Sequence, residues 1–153
     1  NYVVSSPVWD IGAVRDAGAV TFGSGITGTS GAVSLSNSLI GTTRFDFVGN
    51  GGITALSTGH YVVRSPGWSN GTFDRAGAVT FSSGTTGITG AVNALNSVVG
   101  LTSSAGLQEV VTNDVTGTFL VRFTNDGGGR IIAGSQVSGF GQVSVARPST
   151  GGE

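Results

Sequence analysis

Apolar positions in this chain come in short bursts. Tyr61-Val62-Val63-Arg64-Ser65 and Gly77-Ala78-Val79-Thr80-Phe81 are typical: a few β-branched or aromatic residues, then a cluster of Gly, Pro, Asn or Ser. Bursts of this length, bounded this way, predict strands and turns throughout, and no stretch reads as a helix. Residues 52–56, 61–65, 77–81 and 91–99 are the strand candidates of one unit. Ser57-Thr58-Gly59-His60 makes the first pair a hairpin, with Gly59 supplying the positive φ that a tight connection needs. Pro66 ends the second strand: it has no N–H for a ladder, so the chain leaves the sheet there into a Trp-containing loop.

The pattern recurs at a fixed spacing. Tyr2-Val3-Val4-Ser5-Ser6-Pro7-Val8-Trp9 returns as Tyr61-Val62-Val63-Arg64-Ser65-Pro66-Gly67-Trp68, 59 residues on, and Ala17-Gly18-Ala19-Val20-Thr21-Phe22 returns in register as Ala76-Gly77-Ala78-Val79-Thr80-Phe81. The register holds through Gly31-Ala32-Val33/Gly90-Ala91-Val92, Asn37-Ser38/Asn96-Ser97 and Gly41/Gly100. A third, divergent copy follows: Gly117-Thr118-Phe119-Leu120-Val121-Arg122 matches Gly59-His60-Tyr61-Val62-Val63-Arg64 at a spacing of 58, which predicts one deletion within 102–106. Its strand candidates are 107–112, 118–123, 130–133 and 141–145.

A fixed period implies units that stack or radiate and bury one another. Four strands in roughly 60 residues is the size of a propeller blade. The expected fold is therefore all-β, made of antiparallel four-stranded blade-like repeats: a partial first blade of three strands (1–41), a complete second (42–100), a divergent third (101–145) and a flexible tail (146–153). Closed propellers have about four to eight blades, so this partial β-propeller is expected to be completed by oligomerisation or by missing chain. Val20, Phe22, Val79 and Phe81 are expected between blades, with Gly18, Ala19, Gly77 and Ala78 permitting close approach of the sheets.

Composition narrows the chemistry. Only 10% of the 153 residues are charged, 28 are glycine, net charge is −1, and all seven basic residues are arginines. Dispersed arginines give no footprint for nucleic acid or an anionic membrane, and no apolar run is long enough to span a bilayer. Without cysteine there is no disulfide framework, thiolate metal site or thiol nucleophile. The absence of methionine predicts a processed or excised piece of a longer protein. Low charge with abundant Gly, Ser, Thr and Asn suits a secreted or cell-surface bacterial protein.

Catalysis needs convergent titratable groups, and the supply is small. The single histidine, His60, lies in a hairpin turn where the other copies have Asn1 and Thr118, so it reads as a polar turn residue. The carboxylates lie in turns, with nothing local to hold a pair at glycosidase spacing. Arg15-Asp16 becomes Asp74-Arg75 in the next copy, an inversion not expected of residues performing chemistry. Asp46 stands at the turn into the next unit, where a carboxylate can accept backbone N–H bonds and fix the connection. Asn70-Gly71-Thr72 is a formal glycosylation acceptor. The ligand-binding candidates are Trp9 and Trp68, at equivalent positions in two loops. An indole offers a flat face for sugar rings, and the competing reading packs each between units as core.

The order Leu39-Ile40-Gly41, Asp46-Phe47-Val48-Gly49, Ile53-Thr54-Ala55-Leu56, Gly59, Tyr61-Val62-Val63, Ser65-Pro66, Gly77-Ala78-Val79 resembles the FG-GAP repeat of integrin-α-type β-propellers, and resembles more closely the tandem repeats of large bacterial haemagglutinin-like surface proteins. The resemblance implies four-stranded blades and an extracellular adhesive or scaffold role. It departs at the loops Trp9-Asp10-Ile11-Gly12 and Trp68-Ser69-Asn70-Gly71, which lack the alternating acidic residues that calcium needs, so no metal or other cofactor is expected. The expected function is a non-enzymatic extracellular module for adhesion or structural assembly, self-associating as a homo-oligomer or polymer. The alternative is a lectin-like propeller binding carbohydrate through the Trp loops. No nucleic-acid partner and no membrane insertion are expected.

Overall fold

The computed structural model describes residues 1–141, and among these residues it is all-β, with no helix. The predicted tail and the strand candidate over 141–145, beyond its first residue, lie outside the described residues. Three sheets follow one another along the chain. The first is built from β1 (Tyr2–Ser6), β2 (Ala19–Gly23) and β3 (Ser38–Ile40). The second contains β4 (Gly52–Ala55), β5 (Tyr61–Ser65), β6 (Ala78–Ser82) and β8 (Val98–Val99). The third is β9 (Val111–Asn113), β10 (Thr118–Phe123) and β11 (Arg130–Ser135). A further strand, β7 (Gly90–Ala91), belongs by sequence to the second unit but joins the first sheet, pairing in parallel with β3.

The register repeats as the spacing predicts. Tyr2 opposes Gly23 and Ser6 opposes Ala19; 59 residues on, Tyr61 opposes Ser82 and Ser65 opposes Ala78. Pro66 immediately follows β5, and Gly59 has φ 85° in the β4–β5 hairpin. Because side chains alternate across a strand, Tyr61 and Val63 face the first sheet while Val62 faces the third. We call these the proximal and distal faces. Val20 and Phe22, on the distal face of the first sheet, pack against the second; Val79 and Phe81 pack between second and third, in the layers expected from their alternation.

Two expectations are corrected and one feature is added. Residues 91–99 are not one strand: Asn93 and Asn96 fold the chain into a side-chain-bonded turn, so β7 and β8 go to different sheets. The pairing is consequently not wholly antiparallel. The third unit also carries a second, longer deletion that the spacing does not report. The paired ends Ser65↔Ala78 and Phe123↔Arg130 are equivalent, and the chain between them falls from twelve residues (66–77) to six (124–129). A deletion in that loop leaves both flanking strands intact. The described residues form no closed ring.

The linkers between sheets are fastened by main chain. The N–H groups of Phe45, Phe47 and Val48 donate to the carbonyls of Arg15, Asp16 and Ala17. Gly18 is required at this crossing: its φ is +77°, and a Cβ there would lie 2.2 Å from the Val48 nitrogen.

Candidate functional site: the faces between sheets

The two Trp loops have the same backbone. In each, the Trp N–H donates to the last strand residue (Ser6 or Ser65), and its carbonyl accepts from the glycine that opens the return, Gly18 or Gly77. Their side chains fare differently. Trp68 is buried within the core between the first and second sheets, so its indole presents no platform to a ligand. Trp9, on the outer side of the first sheet, is half-buried. The sequence equates the two residues, and the position of each sheet in the stack separates them.

That stack is a recurring interface. Phe22 of the first sheet lies parallel to Tyr61 of the second, with centroids 6.4 Å apart and planes 1° from parallel. Phe81 of the second lies over Phe119 of the third at 6.2 Å and 2°. Around each pair the apolar residues interlock: Val20 and Val48 with Val63, Ala78 and Trp68 at the first joint, and Val62, Val79 and Leu56 with Val121, Phe123 and Ile132 at the second. Burial of these faces is the main source of stability available to such thin sheets. Tyr2 and Phe119 also cover glycines, Gly23 and Gly134, where a Cβ would sit 2.2 Å from ring carbon.

Polar side chains secure the joints. Asp46 is buried and accepts three backbone N–H bonds: Oδ2 from Thr42 (3.0 Å) and Thr43 (2.8 Å), and Oδ1 from Ser69 (3.0 Å) in the second Trp loop. Desolvation pushes its pKa above the ordinary carboxylate value, outweighing the three N–H bonds that pull it down. The expected turn-fixing role is thus met, extended to clamping the next unit. At the second joint Ala105 occupies the position of Asp46, and Asp126 reaches back to the Leu101 N–H instead. Asp126 is paired with Arg130 at 2.7 Å, and Arg130 donates to the Val99 carbonyl and lies 4.8 Å over the Phe123 ring. Gln136, fully buried, accepts from the Ser57 N–H and hydroxyl and donates to Asp114 and to the Thr118 carbonyl. None of Asp126, Arg130 and Gln136 stood out in the sequence as a joint residue, because their partners across the joint, Leu101, Val99 and Ser57, lie 25 or more residues away with no shared motif.

The remaining candidates take structural places. His60 Nδ1 accepts the Gly84 N–H at 3.1 Å, and Asn1 Oδ1 does the same for Gly25 at 3.0 Å, so both are polar turn residues with one task. In the inverted pairs, Asp16 and Arg75 share a left-handed backbone, φ 52° and 53°, and Arg15 and Asp74 share an outgoing carbonyl bond to the next linker. The backbone, not the charge, is what recurs. Asn70 donates its amide nitrogen to the Gly100 carbonyl at 2.9 Å, which ties up the sequon's acceptor atom. Among the described residues no group of three or more His, Asp or Glu side chains is gathered.

Among the described residues, two faces have no neighbouring sheet. The proximal face of the first sheet shows Tyr2 and Val4, and the distal face of the third shows Leu120 and Ile131. Beside the latter runs a groove of about 560 Å³ lined in part by Arg64, Glu109, Val111 and Arg122. No curated protein and no solved structure matches the chain. A family described as a repeat of unknown function (DUF5650) matches residues 1–50 and again 55–109, the two stretches on either side of the first joint. By that match, which covers more than half of its length in two successive copies, the chain belongs to the DUF5650 repeat family.

Proposed function

We propose that this chain is a non-enzymatic repeat module whose work is assembly: it stacks blade-like sheets into a larger scaffold or adhesive element of a secreted or cell-surface bacterial protein. The observation that carries this reading is the duplicated joint, with the same parallel aromatic pair and the same apolar interlock built at 59- and 58-residue spacing. Side chains that an enzyme would gather are spent on turns and joints: His60, Asp46 and Asp126 are all engaged by backbone N–H groups. The low charge and the Gly, Ser and Thr content favour the extracellular setting. The resemblance to FG-GAP and haemagglutinin-like repeats points the same way, with the sheets as blades of an incomplete propeller.

The test is molar mass by multi-angle light scattering across a wide concentration range. Mass rising with concentration is expected, and a monomer at every concentration overturns the reading. A second reading, carbohydrate binding, is favoured by the half-exposed Trp9 alone. It predicts a glycan-array signal that Trp9→Ala removes and Trp68→Ala, in protein that remains folded, does not.

A further inference from the structure

The two uncovered faces are the two halves of a joint that the molecule already makes twice. On the proximal side of the second sheet, Tyr61, Val63, Trp68 and Val92 are 4%, 0%, 6% and 3% exposed, all against the first sheet. Their counterparts on the first sheet are Tyr2, Val4, Trp9 and Val33: the same residue types, 59 positions earlier, with Tyr2 45% and Val4 48% exposed and the other two half-buried. The segment that carries Val33 is already shaped for packing. Asn37 donates to the Ala32 carbonyl and accepts from the Ser34 N–H, as Asn96 donates to Ala91 and accepts from Asn93 around Val92.

The distal side of the third sheet is the other half. By register, Leu120 stands where Val62 stands and Ile131 where Val79 stands. Val62 and Val79 are fully buried against a following sheet, whereas Leu120 and Ile131 are 44% and 49% exposed. Ala133, also exposed, takes the place of Phe81.

We infer that a second copy of this chain stacks head to tail on the first, the Tyr2/Val4/Trp9/Val33 face of one molecule covering the Leu120/Ile131/Ala133 face of the next. The contact is heterologous, so it repeats from molecule to molecule and builds an open or ring-closed series rather than a closed pair. It continues the established joints with the same strand faces, and it rests on the assembly reading above. Where Phe22 and Phe81 stack on the tyrosine or phenylalanine of the next sheet, Ala133 leaves Tyr2 without an aromatic partner. The intermolecular joint is therefore the weakest of the three, and reversible.

Two surface substitutions test it, each on an exposed strand residue so that the fold is left intact: Val4→Asp on the proximal face and Leu120→Asp on the distal face. In sedimentation velocity the unmodified chain is expected to show a concentration-dependent series of species. Each variant alone is expected to stay monomeric, its association weakened by roughly 100-fold, as for a hot-spot position. An equimolar mixture is expected to form a dimer and stop, because Leu120→Asp keeps the proximal face and Val4→Asp keeps the distal one. Ala133→Phe is expected to tighten self-association by roughly tenfold, the size of one good aromatic contact. Association that neither aspartate alters overturns the proposed faces and leaves the assembly reading standing. Loss on Val4→Asp alone, with Leu120→Asp indifferent, replaces the series by a proximal-to-proximal pair and also overturns it. An unmodified chain that stays monomeric throughout overturns both readings.

Discussion

At the joint between the first and second sheets, the linker fastens itself: Asp46 takes the Thr42 N–H and holds the neighbouring Trp loop through Ser69. At the next joint the equivalent N–H, that of Leu101, is met from the other side, by Asp126 of the third unit with Arg130 as its counter-ion. The loop that would carry a third Trp has lost half its length, and the shortening brings a carboxylate to where that Trp would begin its turn. Each of these N–H groups is met by a buried carboxylate, but which unit supplies it is free to change. What recurs in this repeat is a set of backbone needs and apolar faces; the polar side chains that answer them are local solutions.

The comparison can be broken most severely in the apolar layer. Val79→Asp sets a carboxylate at a fully buried point between the second and third sheets. The folded state is expected to lose about 4 kcal/mol or more, read as loss of the strand circular-dichroism signal and of cooperative unfolding. A soluble, folded variant of unchanged mass would show that Val79 does not lie in a shared layer.

The two tryptophans come next. Trp68→Ala is expected to cost about 3–5 kcal/mol in urea unfolding, as for a large buried aromatic, and Trp9→Ala about 1 kcal/mol in dilute monomer. Equal losses would erase the distinction between an inner and an outer face. At the polar joints, Asp126→Ala should cost about 1–3 kcal/mol, since it strands the Leu101 N–H and leaves Arg130 without its counter-ion. Adding Ala105→Asp, which transplants the first joint's solution onto the second, is expected to recover part of that loss. A double variant less stable than Asp126→Ala would show that the joints are not interchangeable.

The smallest effect is on pH. Asp46 has a raised pKa in the folded chain, so in the window from 3.8 up to its shifted value the folded state binds more protons than the unfolded one. Stability from this group therefore falls as pH rises through that window and is level on either side of it. Asp46→Asn removes that slope. Thermal melts of the two proteins at a series of acidic pH values should differ in slope there; parallel curves would mean that burial does not govern this carboxylate.

Strands β1, β2, β5 and β6, their register and their inward residues were legible because a period of two and a period of 59 coincide in them. Val20, Phe22, Val79 and Phe81 point where their alternation says. The β7 strand was not legible. Gly90-Ala91 offers only one methyl group, too little to show a pattern, and its parallel partner lies about 50 residues earlier. The shortened third loop was not legible because matching identical residues finds spacing only where residues match, and 124–129 keeps only the closing glycine of the Trp loops, Gly129 for Gly18 and Gly77. The candidate indoles were found, but their different environments depend on what lies above each sheet, which two identical sequence positions cannot express.

The loan of β7 has a mechanical consequence. A cut at the sequence period, taking residues 42–100 as one repeat, would remove a strand from the first sheet and carry it away unpaired with the second. The first and second units overlap like shingles, so tension along the chain meets a splice at the first joint: Gly90-Ala91 must slide past Leu39-Ile40 before the linker can pull free. Parallel strands loaded along their length resist together rather than opening one bond at a time, and a filament of such units would yield by shear.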